Sequence, residues 1–132
     1  MNLQGRHVYV AGPYTGDDHI ISGNVSKAIA AGETLWSAGA FPLIPHLCHY
    51  WDVRYRHHYD EWMRWCLSWV AKCDMLVRIP GPSPGADKEV ELALRCQIPS
   101  FLSPGGIAGD TISNEEWLNG LVEIKEVPCS TP

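Results

Sequence analysis

The sequence predicts an α/β protein of the flavodoxin or Rossmann type, a three-layer sandwich around a central parallel sheet of four to five strands. Short apolar runs recur along the chain, and segments with apolar residues at helical spacing lie between them. This alternation is typical of parallel sheets that helices cover on both faces. A chain of 132 residues suffices for one hydrophobic core, so we expect a single domain over residues 1–132.

The first elements are two strands separated by a helix. Residues 7–11 form a short β-rich run that ends at Gly-Pro, which indicates a buried strand followed by a turn. Residues 25–36 repeat apolar side chains at helical spacing, and Ser22 or Asn24 is the expected N-cap. Residues 41–44 form a second apolar run, which Pro45 closes.

Residues 45–59 hold four histidines, three tyrosines and a tryptophan without a clear period. We therefore expect a long loop, and loops of this length inside a compact domain are usually functional or mobile.

The second half of the chain continues the alternation of helices and strands. The predicted order is a helix at 62–70, a strand at 75–79, a tight loop at 80–85, a helix at 86–96, a strand at 98–102, a short helix at 114–121 and an edge strand at 122–127.

The overall composition excludes several classes of protein. The net charge is −5 and no two Lys or Arg residues are adjacent, which argues against a nucleic-acid polymer as partner. The cysteines are odd in number, five, and form no CxxC motif, so free thiols in a reducing cytoplasm are expected. No apolar stretch is long enough for a membrane span, and the first residues lack a signal-peptide pattern. We expect a soluble cytoplasmic protein.

Ligands of open α/β sheets bind beyond the carboxyl ends of the strands. This rule selects the loops at 12–23, 45–59 and 80–86. In the third loop, Ser83, Gly85 and Ala86 precede a helix, where free backbone N–H groups and the helix dipole attract anions. A phosphate or a sugar oxygen would suit this position, although an ordinary helix start explains the same residues equally well.

Glu89 falls in the predicted first turn of that helix. The helix dipole there would stabilise an ionised carboxylate, which is a suitable nucleophile for an anomeric carbon. The alternative is a glutamate that merely favours the start of the helix, and for a lone glutamate this is the commoner case.

Two motifs resemble the nucleoside 2-deoxyribosyltransferase superfamily, which includes 2′-deoxynucleoside 5′-monophosphate N-glycosidases. The first is Tyr9-Val-Ala-Gly-Pro13 at the end of the first strand. The second is Ser83-Pro-Gly-Ala-Asp-Lys-Glu89 with Ala93 after the third strand, and it resembles a small branch of that superfamily with a G-x-S-x-G-A-D-x-E core. The resemblance covers residues 8–101. It implies a flavodoxin-like fold and a homodimer or higher homo-oligomer.

The resemblance also implies roles for individual residues. Glu89 matches the nucleophile of the family, and Tyr9 matches a tyrosine whose hydroxyl lies near that carboxylate. The matching ligand-binding positions are Gly12 and Pro13 in the first loop, Ser83 and Gly85 at the phosphate or 5′-hydroxyl site, and His46 after the second strand.

One departure concerns the acid that protonates the leaving base. Related hydrolases carry an aspartate eight positions before the aspartate that opens the third strand, and counting back from Asp74 gives Cys66. We interpret Asp74 as structural, since it should lie at the wrong edge of the sheet. The general acid must then come from another residue. The candidates are Asp87, His46, Asp52 and Asp60, with Asp87 favoured because it is near Glu89 in sequence.

Aromatic residues could stack on a base, and we expect one or two of Tyr14, Tyr50, Trp51 and Tyr55 to line the site. Trp62, Trp65 and Trp69 lie at helical spacing and are expected in the core or at a subunit interface. The histidines of segment 45–59 match no strong zinc pattern, so neither a metal nor a cofactor is expected.

The sequence therefore predicts an enzyme that cleaves the N-glycosidic bond of a nucleoside or its 5′-monophosphate, by hydrolysis or by transfer to a second base. A non-catalytic nucleotide-binding module is the alternative from another class. A metal-dependent hydrolase built on the histidine-rich segment is a weaker third reading.

Overall fold

Five short strands, counted among the described residues, form the sheet. The computed structural model describes residues 1–126. Its strands are β1 His7–Ala11, β2 Phe41–Leu43, β3 Met75–Arg78, β4 Ser100–Leu102 and β5 Val122–Glu123. Their spatial order is β2-β1-β3-β4-β5. This is the doubly wound, flavodoxin-like order, so the predicted fold class is confirmed.

Four strands run parallel and the fifth does not. Tyr9 of β1 is in register with Leu43 of β2 and with Leu76 of β3. β5 pairs antiparallel with β4, with Leu102 opposite Val122. The predicted central parallel sheet is therefore confirmed in β1 to β4, and β5 adds an antiparallel strand at its edge. An antiparallel edge strand on a parallel sheet is common, because an edge strand has to match only one neighbour.

Within the described part of the chain, five helices surround the sheet. They are α1 Asp18–Ser37, α2 Cys48–Arg54, α3 Tyr59–Val70, α4 Pro84–Arg95 and α5 Asn114–Asn119.

Alternation along the strands divides the core into two layers. Val8 and Val10 of β1 pack with Ala28 and Leu35 of α1 and with Trp117 of α5. On the opposite face, Tyr9 and Ala11 of β1 pack in a second cluster with Val70 of α3 and with Ala86 and Val90 of α4. Successive side chains of a strand point to opposite faces, so β1 contributes to both layers. This arrangement is the three-layer sandwich that the sequence predicts.

The start of α1 differs from the prediction. The helix begins at Asp18, and the side chain of Asp17 accepts a hydrogen bond from the backbone N–H of Ile20. Ser22 and Asn24 lie inside the helix and do not cap it. The first turn is exposed and carries no apolar stripe, so the spacing of apolar residues reveals the helix only from its second turn onward.

Segment 45–59 is largely helical, so the prediction of one long loop is wrong. A 3₁₀ turn at Pro45–Leu47 leads directly into α2. No residue of α2 is fully buried. A helix without a buried face has no apolar period, which explains why the sequence pattern does not reveal it.

The tryptophans of α3 are not core residues. Trp62 and Trp65 are half-buried, and Trp69 is 42% exposed. The ring of Trp65 meets that of Trp62 edge-on and that of Trp69 at a tilt of 59°. Trp51 of α2 joins this aromatic row through edge-on contacts with Trp62 and Trp65. The expected burial in the core is wrong, and the alternative of a subunit interface stays a prediction.

The remaining predictions concern cysteines, the last strand and membrane helices. Four thiols, those of Cys48, Cys66, Cys73 and Cys96, are free as expected. Cys129 and the predicted end of the edge strand at Val127 lie outside the described residues. Within residues 1–126, no helix has the length and apolar character that crossing a membrane requires.

Candidate active site

A cavity of about 290 Å³ opens at the carboxyl ends of the parallel strands. Its walls come from the loop after β1, the 3₁₀ turn with α2, the face of α3 and the start of α4. Seven residues that the sequence predicts as a site share this lining: Gly12, Tyr14, His46, Ser83, Gly85, Ala86 and Glu89. This is the sheet edge at which open α/β sheets bind ligands, and the structure brings these seven residues together there.

Glu89 is buried at the base of the cavity, with only 5% of its surface exposed. The hydroxyl of Tyr9, which is itself fully buried, donates a hydrogen bond to Glu89 Oε2. Burial raises the pKa of the Glu89 carboxyl from 4.5 to about 7, while the hydrogen bond from Tyr9 and the charge of Arg78 oppose this rise. A carboxyl with a pKa near neutrality is typical of functional sites.

The expected reason for an ionised Glu89 is wrong. α4 begins at Pro84 with Ser83 as its N-cap, so Glu89 lies in the second turn of the helix. The effect of the helix dipole falls off within the first turn. Burial therefore has the largest effect on the pKa of Glu89, and it favours the protonated form. The hydrogen bond from Tyr9 is the main influence that favours the ionised form.

Asp87 does not face the cavity. Its Oδ1 accepts a hydrogen bond of 3.0 Å from the guanidinium of Arg78, which is 7% exposed. The carboxylate neutralises a nearly buried cation. This arrangement argues against Asp87 as the proton donor that the sequence favours, because proximity in sequence along a helix does not give a shared face.

The start of α4 offers fewer free donors than the sequence suggests. Ser83 Oγ accepts the backbone N–H of Ala86 at 3.1 Å, and the carbonyl of Ser83 accepts the N–H of Asp87 at 3.0 Å. Pro84 has no N–H. The Gly85 N–H and the Ser83 hydroxyl proton are the donors left for a ligand.

Gly85 is also required for packing between helices. A Cβ at this position would lie 2.9 Å from Tyr59 Oη and 3.2 Å from Met63 Sδ. The glycine thus lets α4 approach α3 closely, and Tyr59 and Met63 line the cavity beside it. From the sequence, Gly85 is expected to serve the ligand alone, and its packing role is visible only in the structure.

His46 lies on the inner wall and is 4% exposed. Its Nε2 lies 3.0 Å from the carbonyl oxygen of Pro13, so Nε2 must carry the proton and donate it. Burial lowers the pKa of His46, against smaller opposing effects of the backbone at Pro13 and Gly12. His46 is therefore neutral and ties the loop after β1 to the 3₁₀ turn. Pro13 contributes through this carbonyl and lies outside the lining.

Tyr14 and His49 form a pair beside His46, whose ring meets that of Tyr14 edge-on at 6.1 Å. Tyr14 Oη lies 2.7 Å from His49 Nδ1, and both residues line the cavity. Asn24 of α1 donates a hydrogen bond of 3.2 Å to the Tyr14 carbonyl and so fixes this loop. Burial raises the pKa of the Tyr14 hydroxyl.

Cys66 occupies the position at which the resemblance implies an aspartate, and it lines the cavity next to Tyr9 and Glu89. Burial raises the pKa of its thiol to about 12, against a smaller opposing effect of the hydrogen bond with Tyr9. A thiol this weakly acidic stays protonated and neutral.

Asp52 of α2 holds two helices together. Its Oδ1 accepts hydrogen bonds from the backbone N–H of His57 at 3.0 Å and from the Trp62 indole at 2.8 Å. These two bonds lower the pKa of the Asp52 carboxyl. Asp52 is therefore an ionised acceptor in the cavity wall and not a proton donor.

Several lining residues were not assigned to the site from the sequence, among them His49, His57, Tyr59, Trp62 and Met63. The two histidines could have been assigned to the site from the sequence, because they lie in segment 45–59, which was already selected as a ligand loop. For the α3 residues the helical spacing indicated only a buried face. Among the aromatic candidates, Tyr14 lines the site, whereas Tyr50, Trp51 and Tyr55 are exposed and lie outside the lining.

The charges at the site are few. Among the described residues, the cavity lining holds two carboxylates, Asp52 and Glu89, and no Lys or Arg. Asp74 lies at the other edge of the sheet, where it accepts a hydrogen bond from the backbone of His7, in agreement with a structural role. Within residues 1–126 no group of three or more His, Cys, Asp or Glu side chains is arranged to hold a metal ion.

The fold and the site define a doubly wound α/β protein with a buried carboxyl–tyrosine pair beneath a cavity at the carboxyl edge of its sheet. Residues 6–101 match the family model described as "Domain of unknown function (DUF4406)". The match covers more than half of the chain, and the chain belongs to this family. Neither a curated protein nor a solved structure matches the chain significantly.

Proposed function

We propose that this protein cleaves the N-glycosidic bond of a nucleoside or its 5′-monophosphate, with Glu89 as the nucleophile. The observation that carries the proposal is the hydrogen bond from Tyr9 to Glu89 at the base of a cavity at the carboxyl edge of the sheet. A carboxylate in that position can attack a sugar carbon that enters the cavity. The resemblance of the motifs around Tyr9 and Glu89 to nucleoside 2-deoxyribosyltransferases supports the same assignment.

The reaction would begin with attack of the Glu89 carboxylate on C1′. The transition state resembles an oxocarbenium ion, so a buried anion beneath the sugar stabilises the charge that develops there. The glycosyl-enzyme would then be resolved by water or by a second base. Tyr9 keeps Glu89 oriented and favours its ionised form.

The size and charge of the cavity favour an uncharged nucleoside over a monophosphate. About 290 Å³ is close to the lower end of the range for small-molecule pockets. The lining, among the described residues, offers a phosphate no cationic side chain and presents it with two carboxylates. The Gly85 N–H and the Ser83 hydroxyl suit a 5′-hydroxyl group, which needs only one or two hydrogen bonds.

A second candidate is a non-catalytic nucleotide-binding module, and Cys66 favours it. The thiol has a pKa of about 12 and stands where the resemblance implies a carboxylate. A site without that carboxylate could bind a nucleoside and release it unchanged.

We also expect a homodimer or higher homo-oligomer, as the resemblance implies. The exposed edges of Trp51 and Trp69 give α2 and α3 an apolar surface that a second copy could cover. Light scattering after size-exclusion chromatography measures the oligomeric state.

The test of function is release of free base from a panel of nucleosides and 5′-monophosphates. Release that Glu89→Ala abolishes and EDTA leaves unchanged would support the glycosidase. Glu91→Ala is the matched control, because Glu91 lies on the same helix, is exposed and pairs with Arg95. Binding without release would support the second candidate. Activity lost with EDTA would contradict the proposal and favour a metal-dependent hydrolase. Adding a second free base distinguishes transfer from hydrolysis.

A further inference from the structure

Departure of a nucleobase requires a proton as well as a nucleophile, because most bases are poor leaving groups as anions. The residues considered for this role from the sequence are all committed elsewhere or lie away from the cavity. Asp87 pairs with Arg78, Asp52 accepts hydrogen bonds from His57 and Trp62, and His46 donates Nε2–H to Pro13. Asp60 is exposed at the start of α3, outside the lining.

The pair of Tyr14 and His49 is differently placed. Both side chains line the cavity that Glu89 closes from below. His49 Nδ1 is bound to Tyr14 Oη at 2.7 Å, and within residues 1–126 the ring makes no other hydrogen bond. Nε2 is then the nitrogen left to reach a ligand. Asn24 of α1 holds the loop that carries Tyr14, and Tyr14 in turn binds the imidazole of His49 on α2. The orientation of the imidazole therefore depends on both α1 and α2.

We propose that His49 is the general acid that protonates the leaving base and that Tyr14 is the residue that positions it. This inference rests on the proposed function. An aromatic hydroxyl that binds one imidazole nitrogen fixes the ring and directs the other nitrogen, as carboxylates and carbonyls do in other catalytic histidines.

The proton and the electron pairs balance over the two half-reactions. As the C1′–N bond breaks, its electron pair goes to the base, which takes the proton from Nε2 of the His49 imidazolium. C1′ forms a bond to a carboxylate oxygen of Glu89. In the second half-reaction, water attacks C1′, the ester bond to Glu89 breaks, and the proton of that water returns to His49.

His57 is the competing histidine in the lining. Its Nδ1 lies 3.0 Å from Glu61 Oε2, and 39% of its side chain is exposed. It also stacks edge-on against Trp51 and Trp62. These contacts hold His57 at the mouth of the cavity and engage it with α2 and α3, and so we prefer His49.

The experiment compares leaving groups that do and do not need a proton. One substrate is the nucleoside of the panel that the wild type cleaves fastest, and the other is p-nitrophenyl 2-deoxyriboside, whose phenolate departs without protonation. His49→Gln should lower kcat/KM on the nucleoside about a hundredfold or more and change kcat/KM on the p-nitrophenyl substrate by less than about threefold. The comparison uses kcat/KM because this constant reports only the formation of the glycosyl-enzyme, before water and His49 act in the second half-reaction. Tyr14→Phe should also lose activity selectively on the nucleoside, but by a smaller factor than His49→Gln.

His19→Gln is the matched control, since His19 is exposed on α1 outside the cavity lining. Retained melting temperatures show that the variants fold. Equal loss on both substrates, no loss on either, or the selective pattern in His57→Gln instead of His49→Gln would overturn the inference. Glu89→Ala should abolish cleavage of both substrates, and survival of both would overturn the proposed function itself.

Discussion

The hydroxyl of Tyr9 donates a hydrogen bond to the carboxylate of Glu89, 80 positions away along the chain. Tyr9 points from β1 to the face of the sheet that α4 covers, and Glu89 lies on the buried side of α4. Both side chains are buried, so this hydrogen bond holds each of them in place, and the thiol of Cys66 lies beside Tyr9 as a further contact. The pair sets both the position and the protonation of the nucleophile that we propose.

The first prediction concerns this hydrogen bond. Tyr9→Phe removes an interaction that lowers the pKa of Glu89, so that pKa should rise above about 7. Only the ionised carboxylate can attack C1′, so the lower-pH limb of the activity profile should move to higher pH. Carbon-13 NMR titration of the Glu89 carboxyl measures the same change without relying on activity. An unchanged or lower midpoint would contradict the prediction.

The second prediction concerns the cost of burying Glu89. Its pKa is about 7 in the folded protein against 4.5 for a free side chain, so the folded state binds the proton more tightly. The free energy of unfolding should therefore fall as the pH rises from about 4.5 to about 7, by at most about 3 kcal/mol. Below about pH 4.5, Glu89 is protonated in both the folded and the unfolded chain. Above about pH 7, it is ionised in both, and the full cost of burying the charge lowers the stability.

Glu89→Gln should remove that dependence, because glutamine stays neutral and its carbonyl can still accept the hydrogen bond from Tyr9. Relative to wild type, the variant should gain stability between pH 4.5 and pH 8, measured by urea denaturation at several pH values. Glu91→Gln, exposed on the same helix, should show no such gain. A constant difference between Glu89→Gln and wild type across this range would refute the prediction.

The third prediction concerns the contact between α3 and α4. Gly85→Ala would place a methyl group 2.9 Å from Tyr59 Oη, so the tyrosine must move. Tyr59 is half-exposed and can swing outward, which limits the loss of stability to about 1 kcal/mol. Tyr59→Phe in the same chain removes the clashing oxygen and should recover part of the loss in a double-mutant cycle. Additive effects of the two changes would show that the contact does not matter.

The fourth prediction concerns Asp52. Asp52→Ala leaves the His57 N–H and the Trp62 indole without their acceptor and should destabilise the protein by about 1 kcal/mol. Tryptophan fluorescence should shift as well, because Trp62 lies in the aromatic row. Asp52→Asn keeps an oxygen at the acceptor position and should lose less than half as much. Equal losses in the two variants would mean that the charge, and not the geometry of the acceptor, holds α2 against α3.

Much of this molecule is predictable from local sequence. Apolar runs such as residues 75–77 are buried on both faces of the sheet, so their hydrophobicity alone reveals the strand. The rule that ligands bind at the carboxyl ends of parallel strands then places Gly12, Ser83 and Glu89 at one edge. The same reasoning does not reveal α2, because a helix with no buried residue imposes no apolar period on its sequence.

The sequence by itself determined the α/β class, and it selected the edge of the sheet for the candidate site and the candidate nucleophile. Only the tertiary structure decided which groups accompany Glu89. In the folded chain, Asp87 forms an ion pair with Arg78, and Asp52 accepts a hydrogen bond from Trp62. His49 lies within hydrogen-bond distance of Tyr14. The physical reason is that strands and helices follow from short-range periodicity, whereas the partner and the protonation of a side chain depend on burial and on residues distant along the chain.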